Sequence, residues 1–441
     1  MSDDERDQRN VVLVTVDSLR ADHCGYWGYD RETSPTLDRM AEEGFVFEQA
    51  FAPGPSTYES MPAIFTGRHM TSFSPNVESS DGDEDAIDAR TRNIRMNMNA
   101  PTIPEWFAEQ GYATGAFTTN PYTGAHTGFA RGFDHYEDFM GDGEGPLMRK
   151  AAHLPVLSEI KHVITLLRGD RASKQWTEYY DRIIEWVEDV DDPYFLWVFL
   201  LDTHTPYLAD SEHRAETDVS HLEMYYHNWR LWMEKKWRAD ENHSSLDQET
   251  LVDLYDATIA SVDDFLSSLL EDLGDTDPIV VVHSDHGEAF GEHGTYGHDA
   301  QLYEENLHVP LIVHGNGLTG RTTTPVSLTQ LPELLQHLAT GAEQLSTVNQ
   351  PGTVLSKTFD AEQFCLRGPD WKYVCRTDPD EKTVQDDRLY DLRHDPDERD
   401  PIDKPESLAA ACRQAIRRRL SHERELDVLA DGVSAIRGEQ S

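Results

Sequence analysis

"IVVVHSDHGEAFGEHGTYGH" (Ile279–His298) begins as a β-branched apolar run and turns, after Ser284, into acids, histidines and glycines. A continuous run of this kind is the pattern of a central parallel strand covered on both faces. Open α/β sheets bind ligands beyond the carboxyl ends of their strands. Asp285, His286 and the histidines after them fall where such a sheet builds a site.

Working outward, "LYDATIASVDDFLSSLLEDLG" has helical period and feeds this strand. "NVVLVTVDSLRAD" opens with a second buried run and carries Asp17 at its end. "SPTLDRMAEEG" follows as a helix, with Ser34 as N-cap, Pro35 at the first position and Gly44 past the end. "PYFLWVFLLDTHTPY" is another buried strand, ending in Asp202 and His204, and "TIPEWFAEQGYATGAFTTN" reads as helix, Gly stop and strand. This alternation predicts a largely parallel central sheet with helices on both faces. Three strands then deliver Asp17, His204, Asp285 and His286 to one edge.

After about residue 316 the texture shortens. "DWKYVCRT" and "RLYDLRHDPDERDP" suggest a small antiparallel sheet, and "ESLAAACRQAIRRRLSHERE" a terminal helix. The expected organisation is a catalytic α/β domain at 10–315, a small α+β subdomain at 316–425, and disordered tails at 1–9 and 426–441. An acidic loop, "VESSDGDEDAIDARTRN", interrupts the first domain.

Against 38 basic residues stand 82 acidic ones, a formal net charge of −44. That balance argues against nucleic acid or an anionic membrane surface as partner. It resembles the acidity of salt-in halophiles and reads as solvent adaptation. The four cysteines (Cys24, Cys365, Cys375, Cys412) have no CxxC spacing, so neither a disulfide framework nor a zinc knuckle is expected. The longest apolar run, "YFLWVFLL", is too short to span a bilayer, and the polar start has no signal-peptide pattern. A cytoplasmic protein without a transmembrane segment is the expectation; oligomeric state is not legible.

Asp17, Asp285 and His286 form a mixed oxygen and nitrogen donor set that suits one divalent cation, Mn²⁺, Ca²⁺, Mg²⁺ or Zn²⁺. An aspartate after a strand often merely caps a helix. Capping does not require an Asp-His pair followed by more histidines in Gly-rich loops.

Together "VTVDSLRADHCGYWGYDRETSPTLDRMAEEGFVFEQAFAP", "TGR", "DTHTPY", "HSDHGEAFGEHGTYGH" and "LYEENLHVPLIVHG" resemble the sulfatase family of the alkaline-phosphatase superfamily, here in a haloarchaeal type. The resemblance implies an alkaline-phosphatase-like fold and a hydrolase of sulfate or phosphate esters. It places Asp17, Asp285 and His286 on the metal, His204 on the substrate, and His298 where many members have a sulfate-contacting lysine. Ser18 stands where a further metal aspartate is frequent.

Counting back from Thr66-Gly67-Arg68, the family's nucleophile position is Thr57. Glu59 and Met61 replace the Pro and Arg that the formylglycine maturation motif needs, so formylglycine is not expected. A threonine hydroxyl remains a usable nucleophile when metal coordination lowers its pKa. Unlike a formylglycine hydrate, a Thr ester must be released by attack on its central atom, which tilts the substrate toward phosphoesters. The implied mechanism has Asp17, Thr57, Asp285 and His286 around one cation. Thr57 attacks, His298 contacts the equatorial oxygens, and His204 or His293 protonates the leaving oxygen. The substrate is a small-molecule or glycan ester.

Two other readings stand beside this one: a phosphoethanolamine- or phosphoglycerol-transferase-like enzyme serving a glycan or lipid-linked acceptor, and a non-catalytic ligand-binding relative. His283, inside its strand, reads as a core residue. "HLEMYYHNWRLWMEKKWR" (221–238) reads first as an amphipathic helix and second as a substrate-stacking surface. "LPVLSEIKHVITLLRG" (154–169) reads as core or lid packing.

Overall fold

The computed structural model describes residues 8–70, 90–95, 97–98, 100–139, 174–191, 193–237, 246–298, 300–341, 345, 352–359, 363–377 and 384–437. The apolar segment 154–169 and most of the acidic loop lie outside them.

One eight-stranded sheet organises the chain. Its order is Gly320–Thr322, Phe45–Phe47, Leu311–His314, Ile279–Ser284, Val11–Val16, Tyr194–Leu200, Ala113–Thr118 and His135–Asp138. Only Leu311–His314 runs against its neighbours; the other pairings are parallel. The sheet is therefore mixed but largely parallel. Residues of Val11–Val16 alternate between two apolar layers. Val11 and Leu13 join Phe65, Trp197 and Val281 on one face, while Val12, Val14 and Val16 join Leu254, Ile259 and Val282 on the other. Helices cover both faces, which is why these strands are apolar throughout.

Register positions the site. Val16 lies opposite both Leu200 and Ser284, so Asp17, Leu201 and Asp285 leave the sheet side by side. Thr118 pairs with Phe199, which brings Asn120 to the same edge.

The four strands Val354–Lys357, Gln363–Arg367, Trp371–Thr377 and Val384–Asp391 form the small antiparallel sheet. Ala409, Cys412 and Ile416 of the terminal helix pack on it. This sheet begins later than residue 316. Gly320–Thr322 pairs with Phe45–Phe47, Val326–Ser327 pairs with Ala50–Phe51, and Leu331, Leu334 and Leu338 are buried in the main core. Short strands and turns do not reveal which sheet they join, because pairing is a long-range choice. Residues 426–437, expected as a tail, continue the helix Glu406–Arg437. Leu426, Leu429, Ala430 and Ala435 are good helix formers. All four cysteines are free and buried.

Candidate active site

Asp17, Asp285 and His286 are fully buried, and one ligand atom from each lies within 4.8 Å of the others. Their carriers are the first two turns of chain beyond adjacent parallel strands. Ser18 adopts φ 58°, which turns its amide toward Asp285 Oδ1 at 3.3 Å; its hydroxyl donates to Asp17 Oδ1 at 2.8 Å. Thus the residue standing at the further aspartate position orients the two acids. Ser284 Oγ donates to the His286 carbonyl at 2.6 Å and accepts from Leu19 N at 2.8 Å, tying the two loops together.

Thr57 heads the helix Thr57–Thr66. Its hydroxyl lies 3.2 Å from His286 Nε2 and 3.5 Å from Asp17 Oδ2. The preceding loop is fixed by Ser60, whose hydroxyl donates to the Gly54 carbonyl at 2.9 Å and accepts from Gly54 N at 3.2 Å. The N-terminus of this helix therefore faces the acids' open side, a favourable place for an anionic ligand.

Asn120 is the neighbour that sequence reasoning missed. Its Nδ2 donates to Asp17 Oδ2 at 2.7 Å and lies 3.4 Å from Thr57 Oγ1. The available signal was its place in "TTNPY", two residues beyond a parallel strand's carboxyl end. Glu288, also unassigned from sequence, is fully buried and accepts from His298 Nδ1 at 3.2 Å. That bond leaves Nε2 as the free ring nitrogen of His298. The His298 ring stands 4.7 Å from that of His286 and 4.8 Å from that of His204. His204 Nδ1 bonds to the Thr205 carbonyl at 2.5 Å.

Thr57, Asn120, His204 and His298 share the wall of a cavity of about 780 Å³, with Tyr58, Tyr122 and Phe359 as its aromatic side. His293 does not join them. Its Nδ1 bonds to Glu305 at 2.6 Å, its Nε2 to the Asp397 carbonyl at 3.0 Å, and its ring stacks on Tyr303. Both nitrogens are occupied, Nδ1 on Glu305 of the main body and Nε2 on Asp397 of the C-terminal region, so the expected role as a proton donor is corrected to a structural one. His283 is a core residue bonded to Thr15 at 2.9 Å, and burial pushes its pKa down to about 4. Among the described residues, none of the His221–Trp237 helix lines the cavity. That helix buries Met224 and Leu231 and brackets Tyr207 through Asn228.

Asp285 Oδ2 is buried without a hydrogen-bond partner among the described residues. Burial raises the Asp285 carboxyl to about 7, and Asp17 adds to the rise. Burial alone would also raise Asp17, but the His204, His286 and His298 rings hold it well below the usual carboxylate range. Burial would lower His286, yet Asp285 and Asp17 push it up to about 10. Two acids that raise an imidazole this far are a pair short of positive charge. The orphaned oxygen, the acid–imidazole donor set and the charge deficit all fit a divalent cation.

Fold and donor set together define an alkaline-phosphatase-like α/β protein. The chain belongs to the Sulfatase family, whose profile matches residues 9–341. Human iduronate 2-sulfatase is 24% identical over 394 residues, covering 78% of this chain and 66% of that protein. A structure solved with its substrate D-glucosamine-2-N,6-O-disulfate shares the fold with TM-score 0.64 at 16% identity, covering 95% of this chain and 98% of the other. The phosphonate monoester hydrolase of Agrobacterium radiobacter gives TM-score 0.61 at 15% identity, covering 95% and 96%. These relatives are hydrolases of sulfate or phosphonate esters, and a divalent metal is typical of the family. Among the described residues, no helix is long and apolar enough to cross a membrane.

Proposed function

We propose that this protein is a metal-dependent ester hydrolase that uses unmodified Thr57 as its nucleophile and favours phosphoesters over sulfate monoesters. One observation carries the reading: the Thr57 hydroxyl sits beside Asp17 and His286 at the head of a helix, in the wall of a cavity of about 780 Å³. Asp17, Asp285 and His286 would hold the cation with the Thr57 oxygen beside them. When bound, such an ion lowers the hydroxyl pKa and neutralises charge on the ester.

The Thr57 hydroxyl first gives its proton to solvent water, and its oxygen then bonds to phosphorus as the bond to the leaving oxygen breaks. His204, whose Nδ1 proton is held by the Thr205 carbonyl, gives the leaving oxygen a proton from Nε2. His298, fixed by Glu288, presents its Nε2 to the reacting centre. Asn120 holds Asp17 and the threonine oxygen in place. Water then attacks phosphorus while giving a proton back to His204, and the bond from phosphorus to the Thr57 oxygen breaks, releasing the phosphate and restoring Thr57. The aromatic side of the cavity suits an aryl or sugar ring, in keeping with a small-molecule or glycan ester as substrate.

The test is a panel of phosphate monoesters, phosphodiesters, phosphonates and aryl sulfates with several divalent cations, run on wild type, Thr57→Ser and Thr57→Ala. Intact mass should equal the sequence mass, and trapping should add a phosphoryl group to the Thr57 peptide. Thr57→Ser should retain activity, while Thr57→Ala should lose orders of magnitude. Full activity in Thr57→Ala refutes the nucleophile. Sulfate turnover without phosphoester turnover refutes the preference.

A further inference from the structure

Two cations stand in the wall of the Thr57 cavity, Arg90 and Lys174. In a chain with 38 basic and 82 acidic residues, a basic side chain has many carboxylates available to pair with. Neither of these forms an ion pair with a described residue. Each is held over an aromatic face instead. Arg90 Cζ lies 5.7 Å from the centre of the Tyr58 ring, and its Nη1 donates to the Tyr122 hydroxyl at 3.0 Å. Lys174 Nζ lies 5.0 Å from the centre of the Phe139 ring. A π face orients a cation without neutralising it, so the charge stays available to a ligand.

Neither cavity carboxylate forms an ion pair with Arg90 or Lys174, although the Glu59 charge reaches Arg90 and adds to the rise of its pKa above the ordinary value. Glu59 accepts from the Phe359 amide at 3.1 Å and from the Ser56 hydroxyl, and Asp202 accepts from the Trp176 amide at 3.4 Å. Tyr58, under Arg90, is the residue next to Thr57 and packs against Phe359 with ring centres 4.4 Å apart. The guanidinium therefore rests on the side chain of the residue that follows the nucleophile.

We infer that Arg90 and Lys174 form a subsite for a second oxyanion on the substrate, so that the preferred ester carries another anionic group on the ring that leaves. This inference rests on the hydrolase reading for its reaction, but not for its binding. The reacting group docks at Thr57, the ring lies along Tyr58, Tyr122 and Phe359, and the remote carboxylate, sulfate or phosphate meets the two cations. A planar guanidinium suits such an oxyanion because it donates two parallel hydrogen bonds.

The experiment compares phenyl phosphate with 3-carboxyphenyl phosphate, and phenyl sulfate with 3-carboxyphenyl sulfate, at fixed salt. Binding is measured by calorimetry on Thr57→Ala protein, and turnover on protein with Thr57 intact. The carboxylated ester should bind roughly tenfold tighter or more than its parent, with the difference in turnover appearing in KM. Combined Arg90→Gln and Lys174→Gln substitution should bring that ratio close to one, while Arg90→Lys with Lys174→Arg should keep much of it. A ratio near one in the Thr57→Ala protein, or a ratio that survives the double Gln substitution, overturns the subsite. A preserved binding ratio without any turnover leaves the subsite standing and refutes the hydrolase reading. A preference seen only with sulfate esters leaves the subsite standing and refutes the phosphoester preference.

Discussion

Two clusters of buried charge lie on either side of the loop Ser284–Tyr303, and they are built differently. At one, Asp17 and Asp285 pair with the His286 imidazole, with His204 and His298 farther off, and one carboxylate oxygen has no partner among the described residues. At the other, Glu304 and Glu398 face Lys372 and Arg367. Lys372 Nζ lies 3.1 Å from Glu304 and 2.8 Å from Glu398, and Arg367 Nη2 lies 3.2 Å from Glu304. The second cluster is balanced within the chain and joins the antiparallel sheet to the helix Glu304–Leu307 of the main body. The first is not balanced and lies behind Thr57, which stands in the cavity wall. Burial of charge alone therefore does not mark function; a shortfall in its compensation does.

The sharpest way to break this contrast is to remove one acid from each side. Asp285→Asn should lower activity on the order of a thousandfold, because the cation contributes several kcal/mol to the transition state. Its unfolding temperature without metal should stay level or rise, since an uncompensated buried carboxylate is removed. Thermal melts and kinetics on one preparation check both halves. A strongly destabilised Asp285→Asn would place the acid in the scaffold.

Lys372→Met should do the reverse. It leaves Glu304 and Glu398 buried without their shared cation, at a cost of roughly 3–5 kcal/mol. Denaturant unfolding should report that loss, while kcat of the folded fraction stays near wild type.

Metal addition separates the clusters next. A cation at a hundred times its dissociation constant should stabilise wild type by about 2.7 kcal/mol. Lys372→Met should show the same increment and Asp285→Asn none. Equal shifts in all three proteins would move the binding site elsewhere.

The contrast also explains what the sequence discloses. Val11–Val16 and Ile279–Ser284 announce themselves through β-branched runs, and Asp17, Asp285 and His286 through their place at strand ends. Strand periodicity and strand polarity are local properties. Asn120 carries no local mark, since a polar residue after a strand is ordinary loop composition. His293 looks as good as His298 in a Gly-rich loop; only the positions of Glu305 and Tyr303 decide that it faces the other cluster. Lys372 and Glu398 are 26 residues apart in chain and meet Glu304 across the subdomain boundary, which no spacing foretells.

The smallest effect is a pH dependence of the balanced cluster. Burial, together with the nearby Glu304 charge, pushes Glu398 up to about 7. An acid whose folded pKa lies above its unfolded value of about 4.3 favours the fold most when protonated. Its contribution is therefore fully present below that unfolded value and is lost as pH rises through about 7. Glu398→Gln cannot ionise, and its amide oxygen can still accept from Lys372 Nζ and the Glu304 amide, which now lie 3.0 and 2.7 Å from Glu398 Oε2. Between pH 5 and pH 8, wild-type stability should fall relative to this variant by on the order of 1–3 kcal/mol. Parallel urea titrations of the two proteins across that window measure the difference. A difference that does not vary with pH would mean that Lys372 and Arg367 already keep Glu398 ionised, making the balanced cluster a fixed set of ion pairs.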